Sequence, residues 1–234
     1  MYADMAQYYD RIYAFKDYAD EVGKIVAIVE NEGCTKGRRL LDVACGTGLH
    51  LEHFRSMFDI EGIDLCPELL DVAQRRLPDV PFHVGDMRSF ALEDRYDIVT
   101  CLFSSIGYMT TVEDLRQAIA QMVLHLVPGG LLLVEPWFEP EAWQPNTVHG
   151  IYIDDPALKI ARINTSFVDG RVSIFDLHHL IGTTEGTRHV IEHHEMGLFT
   201  VDEMTAAFAA TGVDVRYDPD GLTGRGLYIA KKGS

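Results

Sequence analysis

Three carboxylates, a pair of glycines and a tyrosine stand at spacings that suit a nucleotide-like ligand held beside a reacting atom. Asp42 and the glycines Gly46 and Gly48 fall in L-L-D-V-A-C-G-T-G, residues 40–48. An apolar run ends there in an acid, and a glycine pair opens an amphipathic segment. Gly46 and Gly48 lack a Cβ, so backbone can approach a ligand closely and take positive φ. Asp64 ends a second apolar run, I-E-G-I-D-L, and lies 18 residues past Gly46, close to the spacing at which an acid reaches a ribose hydroxyl. Asp86 and Met87 follow a third run, F-H-V-G-D-M, and suit an adenine amino group and ring face. The third glycine of a dinucleotide fingerprint is missing, because Leu51 occupies its place, and a pyrophosphate turn is not signalled.

These side chains need a common scaffold. From Arg38 to Pro136, short apolar strands (expected near 39–44, 60–64, 80–84, 96–103 and 130–135) alternate with helices (near 48–57, 67–77 and 112–126). Pro67 suits a first helical turn, and Pro128-Gly129-Gly130 reads as the end of the third helix. Right-handed crossovers build such a series into a doubly wound, mostly parallel α/β sheet. Its ligand belongs at the carboxyl ends of the strands, where the acids and glycines fall. The first 35 residues read as helix, a lid rich in aromatics that include Tyr9 and Tyr13. Residues 137–195 switch to period-two alternation with an Asp169-Gly170 hairpin signal, an antiparallel meander inserted after the fifth strand. Thr200 and Gly212 bracket a helix expected over 201–211, and strands near 213–217 and 226–231 complete a seven-stranded sheet. The division is therefore a core of 1–136 and 196–234 around an insert of 137–195.

Composition narrows the classes. The chain has 234 residues, 47% hydrophobic, with a formal charge of −16. That is ample core for one α/β domain with an insertion, and the wrong sign for tracking nucleic-acid phosphates. No apolar run approaches the roughly 18 to 20 residues of a membrane span. Cys34, Cys45, Cys66 and Cys101 lack C-x-x-C spacing, so neither a zinc site nor a disulfide framework is indicated and a reducing cytoplasm fits. The ten histidines include the doublets His178-His179 and His193-His194. Neighbours on a strand point to opposite faces, so each doublet offers one ligand at most and no metal is expected. Either His178 or His194 is a candidate for an acceptor-pocket wall, and Glu192, His194 and Glu195 for a polar network.

L-D-V-A-C-G-T-G, I-D-L, G-D-M-R-S-F and L-F-S-S-I-G-Y together resemble class I S-adenosylmethionine-dependent methyltransferases. With E-P-W-F and the late G-R-G-L, the chain is similar to a narrower group, the N-methyltransferases of nucleotide-linked amino sugars in antibiotic pathways. The resemblance runs from Y-Y-D near the N-terminus to G-R-G-L near the C-terminus. It implies a Rossmann-like fold with S-adenosylmethionine as donor. Asp42, Ala44, Gly46 and Gly48 would hold its methionine end, and Asp64 and Leu65 its ribose. Asp86 and Met87 would hold the adenine, Tyr9 and Tyr13 would lie near the methyl, and Phe103 would also touch the donor. Tyr108 would face that methyl, orienting an amine first and acting as base second, since an ordinary phenol (pKa about 10) stays neutral at pH 7. Orientation alone can supply roughly 7 to 11 kcal/mol of such a displacement. Arg225 and Arg162 are candidates for a diphosphate, and Trp137 and Phe138 for stacking on a pyrimidine. The expected acceptor is a dTDP-linked amino-deoxy sugar. The rivals are another small amine or hydroxyl acceptor, and a donor-binding protein without catalysis. A homodimer through the meander is a further expectation.

Overall fold

The computed structural model describes residues 3–33 and 37–233; Cys34 lies outside them. After a 3-10 turn, α1 (Tyr9–Ile12) and α2 (Tyr18–Asn31) lead into β1 (Arg39–Val43), α3 (Leu49–Phe54), β2 (Asp59–Asp64), α4 (Pro67–Arg76) and β3 (Phe82–Val84). Then come β4 (Tyr96–Cys101), α5 (Val112–Leu124) and β5 (Leu126–Val134). Four strands follow, β6 (Val148–Asp154), β7 (Leu158–Asp169), β8 (Val172–Thr183) and β9 (Gly186–Gly197), and the chain finishes with α6 (Val201–Ala209), β10 (Asp214–Asp218) and β11 (Leu227–Lys231).

Seven strands form one sheet in the order β10-β11-β5-β4-β1-β2-β3, parallel except around β11. Its central strands carry buried apolar side chains on both faces, such as Leu40, Leu41 and Val43 of β1, as a sheet covered by helices on both sides requires. Strand order reverses between β1 and β4, and the crevice beyond their carboxyl ends is where ligands of such sheets bind. One core packs α5 and α6 on one face; the other packs α2 and the helices around β1 and β2 on the opposite face. Thr200 caps α6 as its sequence suggests, with a reciprocal Glu203 side chain completing a capping box.

Two local expectations change. The N-terminal helix is interrupted, because Asp17 accepts the Asp20 N–H at 3.0 Å and restarts the chain as α2. Pro128-Gly129-Gly130 does not end α5, which stops at Leu124; it lies inside β5, where the pairing with β4 jumps from Tyr96↔Leu126 to Ile98↔Leu131. Gly129, at φ +80, permits that bulge.

The remaining strands form a separate antiparallel sheet, β6-β7-β8-β9, whose Asp169-Gly170 hairpin has Gly170 at φ +55. Its inner face buries Ile160, Ser166, Leu177, His179, Ile181 and His194; its outer face leaves Tyr152, Ile163, Phe167, Leu180 and Ile191 exposed. Met5 and Ile12 from the N-terminal segment pack on Ile160 and Ile181, tying that segment to the second sheet. Among the described residues no helix is long and apolar enough to cross a membrane.

Candidate active site

A cavity of about 1280 Å³ runs from the carboxyl ends of β1 and β2 to the inner face of the second sheet. At its deep end, Asp64 closes β2 with its carboxylate fixed by two backbone donors, Gly46 N–H to Oδ2 and Cys66 N–H to Oδ1, both 2.8 Å. Burial raises the Asp64 pKa, and those N–H groups work against the rise. Gly46 takes φ +56, and no atom stands within 4 Å of where its Cβ would be, so backbone faces open space. Ala44 (φ 59) beside it, and Phe103 (φ 52) with Ser104 (φ 60) after β4, are left-handed non-glycine residues. Such strain gathers where a site over-determines the backbone. Leu65, Met87 and Asp86 continue the wall. Asp86 is engaged by Arg88, whose Nε donates at 3.0 Å and holds the carboxyl below its usual range.

Two residues assigned to the donor from sequence stand behind the wall instead. Asp42 is buried, accepting from Thr100 Oγ1 at 2.7 Å, and burial pushes its pKa up to about 6. Gly48 (φ +75) starts α3, and a Cβ there would stand 3.3 Å from the Ala73 Cβ, so its place is taken by packing against α4.

The N-terminal segment covers this end. Tyr9 and Tyr13 line the cavity with ring centroids 4.6 Å apart, and Tyr13 meets the Phe103 ring edge-on at 5.1 Å. Asp10 accepts from Thr47 Oγ1 at 2.6 Å and pairs with Arg76, whose Nη1 also donates to the Thr47 carbonyl at 2.6 Å. Behind that clasp, Glu21 is buried; the hydrogen bonds from His50 and Lys16 outweigh its desolvation and keep its carboxyl below the ordinary value.

The opposite wall is aromatic and cationic. Trp137 and Phe138 follow β5, with Trp143 and Phe175 beside them. The Arg225 guanidinium lies over Trp137 (5.2 Å) and Phe138 (4.9 Å), and its Nη1 donates to Ser104 Oγ at 2.9 Å. Burial lowers the Arg225 pKa against the opposing field of Glu135. Arg162 donates from Nη1 to the Tyr13 hydroxyl at 3.0 Å, and its buried Nε has no hydrogen-bond partner among the described residues. Tyr108 ends a 3-10 turn after β4, lines the cavity between the two ends, and is hydrogen-bonded to His194 Nδ1 at 3.0 Å.

Neither histidine proposed for the wall lines the cavity. His178 is on the outer face, stacked on His189 at 5.3 Å, and His194 is buried behind Tyr108. Strand alternation also splits the expected polar network: Glu192 pairs with His179 at 3.0 Å on the inner face, while Glu195 pairs with His193 at 3.2 Å on the alternate face, the latter two still bordering the cavity. Sequence reasoning missed Trp143 and Phe175 in the wall, and Glu135 behind it. Glu135 accepts the Phe103 N–H at 2.6 Å and the Thr223 hydroxyl at 3.1 Å. Its one signal was position, an acid directly after a buried strand.

Comparison with known proteins decides the family. Residues 40–130 match a methyltransferase-domain family. The chain is 38% identical to the dTDP-4-amino-2,3,4,6-tetradeoxy-D-glucose N,N-dimethyltransferase of Saccharopolyspora spinosa, over 97% of this chain and 92% of that one. It is 39% identical to the dTDP-3-amino-3,4,6-trideoxy-alpha-D-glucopyranose N,N-dimethyltransferase of Streptomyces venezuelae, over 97% of both. The chain belongs to the S-adenosylmethionine-dependent sugar N-methyltransferases. Among solved structures, the S-adenosylmethionine-bound amino pentose methyltransferase of Micromonospora echinaspora superposes with a TM-score of 0.86 at 39% identity, covering 96% of each chain. A sugar N-methyltransferase from Streptoalloteichus gives 0.89 at 33%, covering 97% of this chain and 93% of that one. This methyltransferase therefore uses S-adenosylmethionine as methyl donor. The open cradle at Gly46 fits its methionine end, and the anchored Asp64 carboxylate, with acceptor lone pairs to spare, fits its ribose.

Proposed function

We propose that this enzyme methylates the amine of a dTDP-linked amino-deoxy sugar, once or twice in succession. One observation carries the reading: a single cavity joins the Asp64–Gly46 crevice to a wall of arginines and aromatics, with Tyr108 between. Its volume of about 1280 Å³ exceeds the roughly 300–1,000 Å³ of an ordinary small-molecule pocket, which suits a donor and a nucleotide sugar together.

Bound S-adenosylmethionine supplies an electrophilic sulfonium methyl. The chain's own work is alignment. Asp64 takes the ribose hydroxyls, Gly46 and Ala44 the methionine end, Leu65, Asp86 and Met87 the adenine, and Tyr9, Tyr13 and Phe103 close over the sulfonium. Arg162, with its unpartnered Nε, and Arg225 take the diphosphate, while Trp137 and Phe138 stack on the pyrimidine. Tyr108 holds the amine with its lone pair aimed at the methyl.

The test is a mass-spectrometric screen of dTDP-amino sugars with the donor, expected to show gains of one or two methyl masses. In the same assay Arg225→Gln raises the acceptor KM at least roughly tenfold, the loss of one charge-assisted contact, and leaves donor affinity unchanged. An unaltered acceptor KM would favour another small amine or hydroxyl acceptor. Donor binding without turnover of any acceptor would favour a non-catalytic protein. Cys45 and Cys101 form no disulfide, which supports a cytoplasmic setting, and the exposed apolar outer face of the second sheet supports a homodimer.

A further inference from the structure

The cavity wall has a second layer that the alignment scheme above leaves unused. Behind Tyr108, the inner face of the second sheet holds Arg162, His179, Glu192 and His194. His194 is 1% exposed. Its ring is stacked nearly parallel to Phe175, centroids 5.2 Å apart and planes 11° apart, and its Nδ1 meets the Tyr108 hydroxyl at 3.0 Å. The turn that carries Tyr108 is pressed against the same strand: a Cβ on Gly107 would come within 2.7 Å of both Met196 Cε and Trp137 Cβ. Tyr108 is thus seated on β9 at two points, one steric and one polar.

We infer that His194 is a positioning residue whose Nδ1 accepts the Tyr108 O–H in a fixed hydrogen bond, so that the phenol presents only lone pairs to the acceptor nitrogen. A phenol has one proton and two acceptor sites, and a neutral imidazole has one donor and one acceptor nitrogen. With the proton on Nε2, Nδ1 accepts from Tyr108; with it on Nδ1, the direction reverses and Tyr108 is free to donate into the cavity. The negative field of Glu192, two residues away on the same face, favours a proton on the ring, whereas Arg162 on β7 and His179 on β8 keep it from charging. Burial acts in the same direction and pushes the His194 pKa down to about 4. The imidazole is therefore a neutral acceptor and not a proton sink. An amine N–H that donates to the Tyr108 oxygen is turned so that its lone pair points elsewhere, toward the methyl. A phenol donating into the cavity would instead occupy that lone pair and block attack. The bond thus selects the reactive orientation of the nitrogen, and after one transfer the remaining N–H can be held the same way.

This rests on the reading of Tyr108 as the amine-facing group, and the experiment separates the two. The acceptor is the dTDP-amino sugar that gains methyl mass in the screen, and kcat and both KM values are measured for wild type, Tyr108→Phe, His194→Leu, His194→Asn and the Tyr108→Phe/His194→Leu double variant. His194→Leu is expected to lower kcat about tenfold, a lost hydrogen bond expressed in the transition state, with the donor and acceptor KM unchanged. His194→Asn, whose amide oxygen stands near the original Nδ1, recovers most of that loss. In the Tyr108→Phe background His194→Leu costs nothing further, the signature of coupled residues. In the free wild-type protein, 15N spectra of labelled histidine, assigned by the signal missing in His194→Asn, show a bare Nδ1 and a protonated Nε2. A protonated Nδ1, additive losses in the double variant, or a full-rate His194→Leu would overturn the inference while leaving Tyr108 in place. A full-rate Tyr108→Phe would overturn both.

Discussion

Asp42, Asp64 and Asp86 look alike in sequence, each an acid after an apolar run, yet each meets a different fate. Asp64 is held at the cavity by two peptide N–H groups, Asp86 is clasped by Arg88, and Asp42 is buried a layer deeper with Thr100 for company. Spacing along the chain locates a strand end, but one residue more or less along a strand turns the side chain to the other face, and no pattern announces a neighbouring arginine. The same limit misdirected the choice between His178 and His194. Burial at Asp42 has a measurable cost. Its carboxyl is raised from an ordinary 3.8 to about 6 in the folded state. The native state therefore binds its proton more tightly than the unfolded chain does. This stabilisation is complete below about pH 4 and is lost as pH rises through about 6. Asp42→Asn, which keeps an oxygen for Thr100, is expected to melt several degrees above the parent at pH 8, a difference of up to about 3 kcal/mol. In thermal melts of the ligand-free proteins that gap should shrink to about half at pH 5 and close only near pH 3, below the unfolded-state pKa.

Elements were far more legible than side-chain contacts. Strand–turn–helix order, Pro67 in the first turn of α4 and the Thr200 cap follow from local rules that tertiary packing reinforces. Where packing overrides local preference, expectation and structure part. Pro128-Gly129-Gly130 spells a helix end, but α5 has already stopped and the glycines absorb a bulge between β4 and β5. The N-terminal aromatics suggested one helix, and a cap at Asp17 broke it. That break lets Tyr9 and Tyr13 turn toward the cavity while Asp10 grips Thr47 and Arg76 at the glycine corner. If this segment is the lid, Asp10→Asn weakens donor binding about three- to tenfold, since a partly exposed ion pair and one hydrogen bond are lost. The acceptor KM stays as it was. Titration calorimetry with S-adenosylmethionine measures the first effect, and an unchanged Kd counts against a covering role.

At the scale of the molecule, period-two alternation and the Asp169-Gly170 turn announced a second sheet, but not which of its faces would be left uncovered. That face exposes Leu180 (52%), Ile191 (54%) and Tyr152 (70%), a larger apolar surface than scattered single residues make. In a homodimer formed there, Leu180→Glu combined with Ile191→Glu halves the sedimenting mass without moving donor affinity; an unchanged mass rules that face out as the interface. On the other side, β9 rests on the turn that follows β4 and on Trp137 after β5. Gly107 lies against Met196 and Trp137, and a Cβ on Gly197 would stand 2.3 Å from the Met109 carbonyl oxygen. The depth at which Tyr108 sits is thus set by two missing methyl groups, independently of what the outer strands carry. Chimeras that exchange strands β6 to β8 with a relative, cut so that both glycines stay behind, should trade one sugar preference for another and keep the methylating geometry intact.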